Sequence, residues 1–390
     1  MNMKRHASVK IFALIALIST FAPSASFAAS FKYSAWLPFW KKGEGARDFA
    51  LRMEKFSSIS PFSYEVNANG TLKDSLRIEN GSWDGWLDAV KDGGVKVIPT
   101  IALLDGDAVH ALLSNKARRI KHEDIIAKLV KDNNFDGIDI DYEDKWAKTR
   151  EYFNTFIYGL SIRLKPMGKT LTCTVESRMP LADRFKNPPK TMEYANDYKT
   201  LNKYCDEIRI MAYDQQAVDI TLNAKKGNGE LYMPVADPDW VEKVIKETIK
   251  MVPAKKIMLG IPSYGYEYEV SWNDGIATYK RLRSRTFMQA MAHADNLGLQ
   301  PFRTTWGESA LVYATSTPID VSKNLTYGLA SLVAPKGIFQ EANTVTRFLT
   351  ISDAKAMEDK VKLAKKYGLK GAVFFKMDGD IDPAFWNLLK

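Results

Sequence analysis

The sequence predicts an α/β protein, a closed (β/α)8 TIM barrel with a small α+β insertion between its seventh and eighth strands. Three observations carry this. Short apolar runs alternate with amphipathic stretches, the pattern of βα units around a parallel sheet. Eight such runs are present, the number that closes a barrel. One interval, residues 266–349, is far too long for a single βα connection and has helix and strand patterns of its own.

Residues 1–28 read as a secretory signal peptide. Lys4, Arg5 and Lys10 make a basic start, residues 11–22 are apolar, and Ser26-Phe27-Ala28 offers small residues for cleavage. The apolar run is short for a bilayer span. No other stretch is long and apolar enough to cross a membrane. The mature chain, 29–390, is therefore expected to be soluble, exported to the medium or the cell envelope, and not stably inserted in a membrane. It is expected to be monomeric.

Strand patterns follow at 32–37, 57–61, 95–101, 137–142, 170–175, 207–212, 256–261 and 371–375. Helix patterns fill the gaps. Residues 149–164 place Phe153, Phe156, Ile157, Leu160 and Leu164 on one side. Residues 240–251 do the same with Val241, Val244, Ile245 and Ile249. Asp353 can cap a helix over 354–367 that Gly368 ends. Residues 214–236 read as a long loop after the sixth strand. The interval 266–349 has a helix pattern at 286–297, a Gly-Leu-Gln-Pro turn and a strand-like run at 309–315, enough for one wall of a cleft.

Composition limits the function. The 390 residues are 46% hydrophobic and 26% charged, as in ordinary globular proteins. Removing 1–28, with its three basic residues, lowers the net charge from +9 to +6. That modest excess favours anionic polymer or envelope surfaces. It is spread along the chain without a basic block, which argues against nucleic-acid binding. Four scattered histidines do not form a metal cluster. Asp378-Gly-Asp380-Ile-Asp382 starts like a calcium loop but has Leu389 where a bidentate Glu is needed. Cys173 and Cys205 could pair in an exported protein or remain as buried thiols.

The chemistry concentrates in Asp136-Gly137-Ile138-Asp139-Ile140-Asp141-Tyr142-Glu143. Side chains alternate on a strand, so Asp139, Asp141 and Glu143 share one face and the isoleucines the other. Neighbouring carboxyls in such a row lie roughly 6–7 Å apart. Like charges that close cannot all ionise freely, so at least one pKa rises. A proton-holding carboxyl beside an ionised one suits acid-catalysed bond cleavage. Asp136 is out of step with the row and reads as structural, tying the strand to neighbouring backbone. Two strands on, Met211-Ala212-Tyr213-Asp214 brings a phenol and a carboxylate to the same rim.

These residues resemble glycoside hydrolase family 18, the chitinase-like enzymes. The first motif is similar to that family's DGxDxDxE signature, with Asp136 and Gly137 as its opening pair. Met211 to Asp214 resembles the MxYD signature, and Leu259-Gly-Ile-Pro-Ser-Tyr264-Gly265 the seventh-strand LGxPxYG stretch. Residues 60–70, 234–240 and 370–376 look like bacterial spore and cell-wall members. The resemblance implies an exported retaining glycosidase that cleaves β-1,4 bonds in polysaccharides containing N-acetylglucosamine, without metal or organic cofactor. Glu143 would be the general acid and base. Asp141 would orient the substrate's acetamide, the internal nucleophile, and Asp139 would share a proton with Asp141. Tyr213 would bond the acetamido oxygen, and Asp214 would hold the sugar or position Tyr213. Met211, Phe375, Trp36, Tyr64 and Tyr264 would help bind substrate, with Trp40, Tyr266 and Trp306 as further stacking candidates. Peptidoglycan, chitin and N-linked glycans remain open as substrates. A non-catalytic sugar-binding relative is the alternative, but such relatives typically lose the last Glu of the signature. Two departures stand out. Thr100 to Leu103 replaces the usual SxGG stretch, and Phe375 stands where the family presents Trp.

Overall fold

Eight strands pair in parallel and close on themselves in the computed structural model, which describes residues 30–41, 43–273, 276–314 and 345–389. The strands are β1 (Lys32–Pro38), β2 (Ser58–Val66), β3 (Thr100–Leu103), β4 (Gly137–Tyr142), β5 (Thr170–Glu176), β6 (Glu207–Met211), β7 (Ile257–Pro262) and β8 (Gly371–Phe375). Each pairs with the next, and β8 returns to β1 through Lys32↔Gly371 to Ala35↔Phe374. The expected barrel is therefore present. The signal peptide expected at 1–28 lies outside the described residues. No helix among the described residues is long and apolar enough to cross a membrane.

The helix Arg150–Leu164 buries Phe153, Phe156, Ile157, Leu160 and Leu164, the stripe its sequence sets out. Ile138 and Ile140 point outward from β4 into this apolar layer and are fully buried. Burial of each such side chain stabilises the fold by roughly 1.5–3 kcal/mol. Pro238–Ile249 and Ala354–Lys366 form the other two helices read from the pattern. Asp353 caps the latter by accepting from the Ala356 amide, and Glu358 pairs with Lys362 at 3.0 Å.

Three segments differ from expectation. The run at 95–101 is broken into Lys96–Val97 and β3, because Pro99 has no N–H to give a ladder. The loop at 214–236 contains the helix Ile220–Lys226, capped by Asp219. It buries only Leu222, too little for a periodic signal. The second sheet starts at Tyr264, directly after β7, and its described strands end at Ile351. It is antiparallel, in the order Ile276–Thr286, Tyr264–Asn273, Thr346–Ile351, Ser309–Ala314, Phe302–Arg303, with the helix Phe287–Asn296 beside it. Part of the interval, 315–344, is outside the described residues.

Cys173 on β5 and Cys205 ahead of β6 form a disulfide across 32 positions of chain. In the chain-entropy account a loop of that length constrains the unfolded state by roughly 3–4 kcal/mol. Cys205→Ser should therefore lose about that much stability in urea denaturation, as should the wild type under reducing conditions.

Candidate active site

The acidic row stands on β4, held from both sides. A Cβ on Gly137 would lie 2.2 Å from the Thr170 carbonyl oxygen, so only glycine allows β5 to approach here. Asp136 accepts a hydrogen bond from the Val97 amide at 2.8 Å, the structural tie expected of it. Asp139 and Asp141 project into the barrel, where they are 0% and 4% exposed. Glu143 follows at the rim and is half-buried.

Asp139 is the most heavily bonded member. Its Oδ2 accepts from Trp36 Nε1 at 3.0 Å and Thr100 Oγ1 at 2.9 Å, and its Oδ1 from Thr174 Oγ1 at 2.8 Å. Arg209 approaches the same Oδ2 at 3.4 Å. That guanidinium is itself fully buried, bonds Glu207 at 3.0 Å and Ser60 Oγ at 2.6 Å, and lies over the Trp36 ring. These donors occupy Asp139. Asp141 Oδ1, by contrast, is buried with no hydrogen-bond partner. Asp139 is the anchor of a polar core.

The other two acids hold their protons more tightly than free carboxyls do. Burial pushes the Asp141 carboxyl up, with the charges of Glu143 and Asp139 acting the same way. Burial likewise raises Glu143 from the ordinary 4.5 to about 7, with Glu176 the strongest charged contributor. Burial and the nearby carboxylates Asp141, Asp214 and Glu143 keep the Tyr213 phenol protonated. The site thus brings together a rim carboxyl whose proton affinity is raised toward neutral pH, a carboxyl with a free oxygen, and a phenolic donor across β5.

Aromatic rings build the adjoining wall. Tyr213 stacks on Phe375, centroids 5.6 Å apart and planes 13° apart, and meets Tyr264 edge-on. A Cβ on Gly260 would come within 3.0 Å of the Tyr213 ring and 2.6 Å of the Ile210 carbonyl, so glycine makes room for the phenol. Asp214 sits at φ +57°, a left-handed conformation that Asp tolerates better than most residues. It accepts hydrogen bonds from Tyr264 at 2.6 Å and Tyr266 at 2.8 Å. Tyr264 therefore spends its hydroxyl on Asp214. Met211 pairs across to Gly260 and is partly exposed. Phe375 is partly exposed and packs against Trp36. Trp36 and Tyr64 are 1% exposed and offer no open ring face, which corrects the expectation that they stack on sugar. Trp306 is also buried, with its indole N–H given to Glu308. Trp40, 48% exposed, keeps an available face. Asp378, Asp380 and Asp382 do not converge on one point: they serve Lys376, Lys41 and the Ala384 amide respectively.

The sequence profile described as Glycosyl hydrolases family 18 matches residues 88–380. The chain belongs to this family. By family it is a glycosidase. It is 25% identical over 334 residues to a putative sporulation-specific glycosylase, YdhD, of Bacillus subtilis, covering 86% of this chain and 69% of that one. Among solved structures it is similar to the spore cortex-lytic enzyme SleL of Bacillus cereus, with a TM-score of 0.67, 21% identity, and 93% and 74% of the two chains covered. It is also similar to a chitinase from Chromobacterium violaceum, at 0.65 and 20%, covering 92% and 98%. At these identities the structures show the shared fold.

Arg209, Glu176 and Lys145 surround the family 18 acids and were missed in the sequence. Glu207 and Arg209 alternate with Ile208 and Ile210 on β6, the same pattern that marked the acids on β4. Applied there, it would have found the guanidinium. Folding raises the proton affinity of Glu143, so its carboxyl opposes folding once the unfolded chain would ionise it. This penalty is absent below pH ~4 and complete above about 7. Glu143→Gln should therefore melt above the wild type at pH 8, with the margin closing at pH 4 in a thermal scan.

Proposed function

We propose that this chain is an exported retaining hydrolase of β-1,4-linked N-acetylglucosamine glycans, acting by substrate assistance with Glu143 as acid and base. The observation that carries this is Glu143 itself, a half-buried carboxyl raised to about 7 at the rim of the barrel. It can still donate a proton near neutral pH, as glycosidic cleavage requires. In the proposed first step Glu143 protonates the leaving glycosidic oxygen. The carbonyl oxygen of the substrate's own acetamide attacks the anomeric carbon and gives an oxazolinium ion. The unpartnered Oδ1 of Asp141 would accept the acetamide N–H, and the carboxylate would stabilise the cation. The Tyr213 hydroxyl would donate to the acetamido oxygen. In the second step Glu143 takes a proton from water, which attacks the same carbon and restores the acetamide. Two inversions leave the configuration retained.

Peptidoglycan is the substrate favoured here over chitin. The mature net charge of +6 suits an anionic wall polymer, and the relatives named above include sporulation and cortex-lytic proteins. The reading of 1–28 as a cleaved signal supports secretion or an envelope location.

Glu143→Gln should lower kcat by about 10²–10⁴-fold while leaving oligosaccharide binding in place, measured by hydrolysis assay and calorimetry. Wild-type-like turnover would remove Glu143 from the mechanism. In the wild type kcat/KM should fall above a pH of about 7, as the acid ionises. Mass spectrometry of parallel digests should give cleavage after N-acetylglucosamine, with purified peptidoglycan preferred to chitin oligomers. Equal cleavage of a glucosyl analogue lacking the acetamide would contradict substrate assistance.

A further inference from the structure

Beside the acids stands a second charged pair that the mechanism above does not use. Glu176 closes β5, next to β4 in the barrel. Its Oε1 accepts from the Asp144 amide at 3.1 Å and faces Lys145 Nζ at 3.6 Å. Its Oε2 accepts from the side-chain amide of the buried Asn196. Asp144, immediately after Glu143, adopts φ +53°, which turns the chain sharply at the rim. The Lys145 side chain that follows is 1% exposed. Its ammonium makes no hydrogen bond and rests 5.0 Å from the centre of the Phe153 ring.

An ammonium offers three donors, and burying them unused is costly. Lys145 is thus a cation short of acceptors, with Asp141 and Glu143 both within electrostatic reach. If it bonded Glu143 it would hold that carboxylate charged and deprive it of the proton to be donated.

We propose that Glu176 is a positioning residue that draws Lys145 away from Glu143 and so keeps the acid protonated for the reaction. This rests on Glu143 being the proton donor. Glu176 acts in two ways of the same sign. Its carboxylate repels charge on Glu143 directly, and it diverts the Lys145 ammonium. Other titratable groups that act with Glu143 are Asp141 on the preceding strand, Asp144 beyond it, and Tyr213 and Asp214 after β6. Asp144 and Asp214 add to the effect of Glu176, while Lys145 opposes it. The same carboxylate accepts from the Asp144 amide and faces the Lys145 ammonium.

The test is the pH profile of kcat/KM on an N-acetylglucosaminyl substrate. Glu176→Gln keeps an acceptor for the Asp144 amide and removes the charge. The alkaline limb should move down by about one pH unit or more, with the rate on the acid side retained. Lys145→Met should move the limb up, and combining the two should return it close to the wild-type position. A limb that stays in place in both single variants, or a loss equal at every pH, would overturn the proposal and leave Glu176 as a loop tie. Lys145→Met makes this decision even where Glu176→Gln does not fold, as judged by circular dichroism. Glu143→Gln is run alongside. Hydrolysis surviving in that variant condemns the donor assignment, whatever the limbs do.

Discussion

A closed barrel leaves little water at its centre, and two carboxyls of one strand point into it with a third at its rim. That is the constraint on which the rest depends. It is met by Arg209, whose guanidinium reaches Asp139, Glu207 and Ser60 while lying over Trp36. Buried ion pairs are weak sources of net stability, since the desolvation of two charges offsets their attraction. What this pair supplies is position. With Asp139 bonded from β1, β3, β5 and β6, the strand cannot rotate or slip, and the next two acids are carried to a fixed height. The gradient that results is steep. Asp139 is saturated with donors, Asp141 has one oxygen free, and Glu143 reaches the rim with a raised proton affinity. Position along a single strand thus sets apart a saturated anchor, a buried carboxyl with a free oxygen and a rim carboxyl of raised proton affinity.

The wall facing these acids is built by the opposite means, from rings rather than charges. Phe375, Tyr213, Tyr264 and Tyr266 pack in a series of stacked and edge-on contacts, which fix ring planes with little loss of side-chain freedom. Phe375 is smaller than a Trp, and the Tyr213 ring stacks flat against it. This part of the wall is therefore shaped jointly by a phenyl and a phenol.

Most of the barrel was legible because its signal is redundant. The runs at 137–142 and 371–375 match β4 and β8 residue for residue, since buried parallel strands are apolar and abruptly bounded. Pro99 divided one run that hydrophobicity alone joins, and Leu222 is too little apolar surface to announce the helix it belongs to. In the site, the residues that declare themselves by motif could be numbered in advance. Their neighbours could not. Trp36 reads from sequence as a sugar platform and is instead a donor to Asp139, because aromatic content says nothing about which way an indole faces. Glu176 ends β5, 33 positions from Glu143, and Lys145 lies two positions after Glu143 in the loop that follows β4. Only the closure of β4 against β5 makes them neighbours.

The strand Tyr264–Asn273 belongs to the second sheet, yet its first residues supply both hydroxyls that hold Asp214. The insertion is thus joined to the catalytic rim through bonds rather than only through the chain. Trimming it to widen the cleft, or grafting one from a related enzyme, would strip the carboxylate after Tyr213 of its two donors unless that tyrosine pair travelled with the barrel. The seam for modular exchange lies after Tyr266, not at the geometric edge of the barrel.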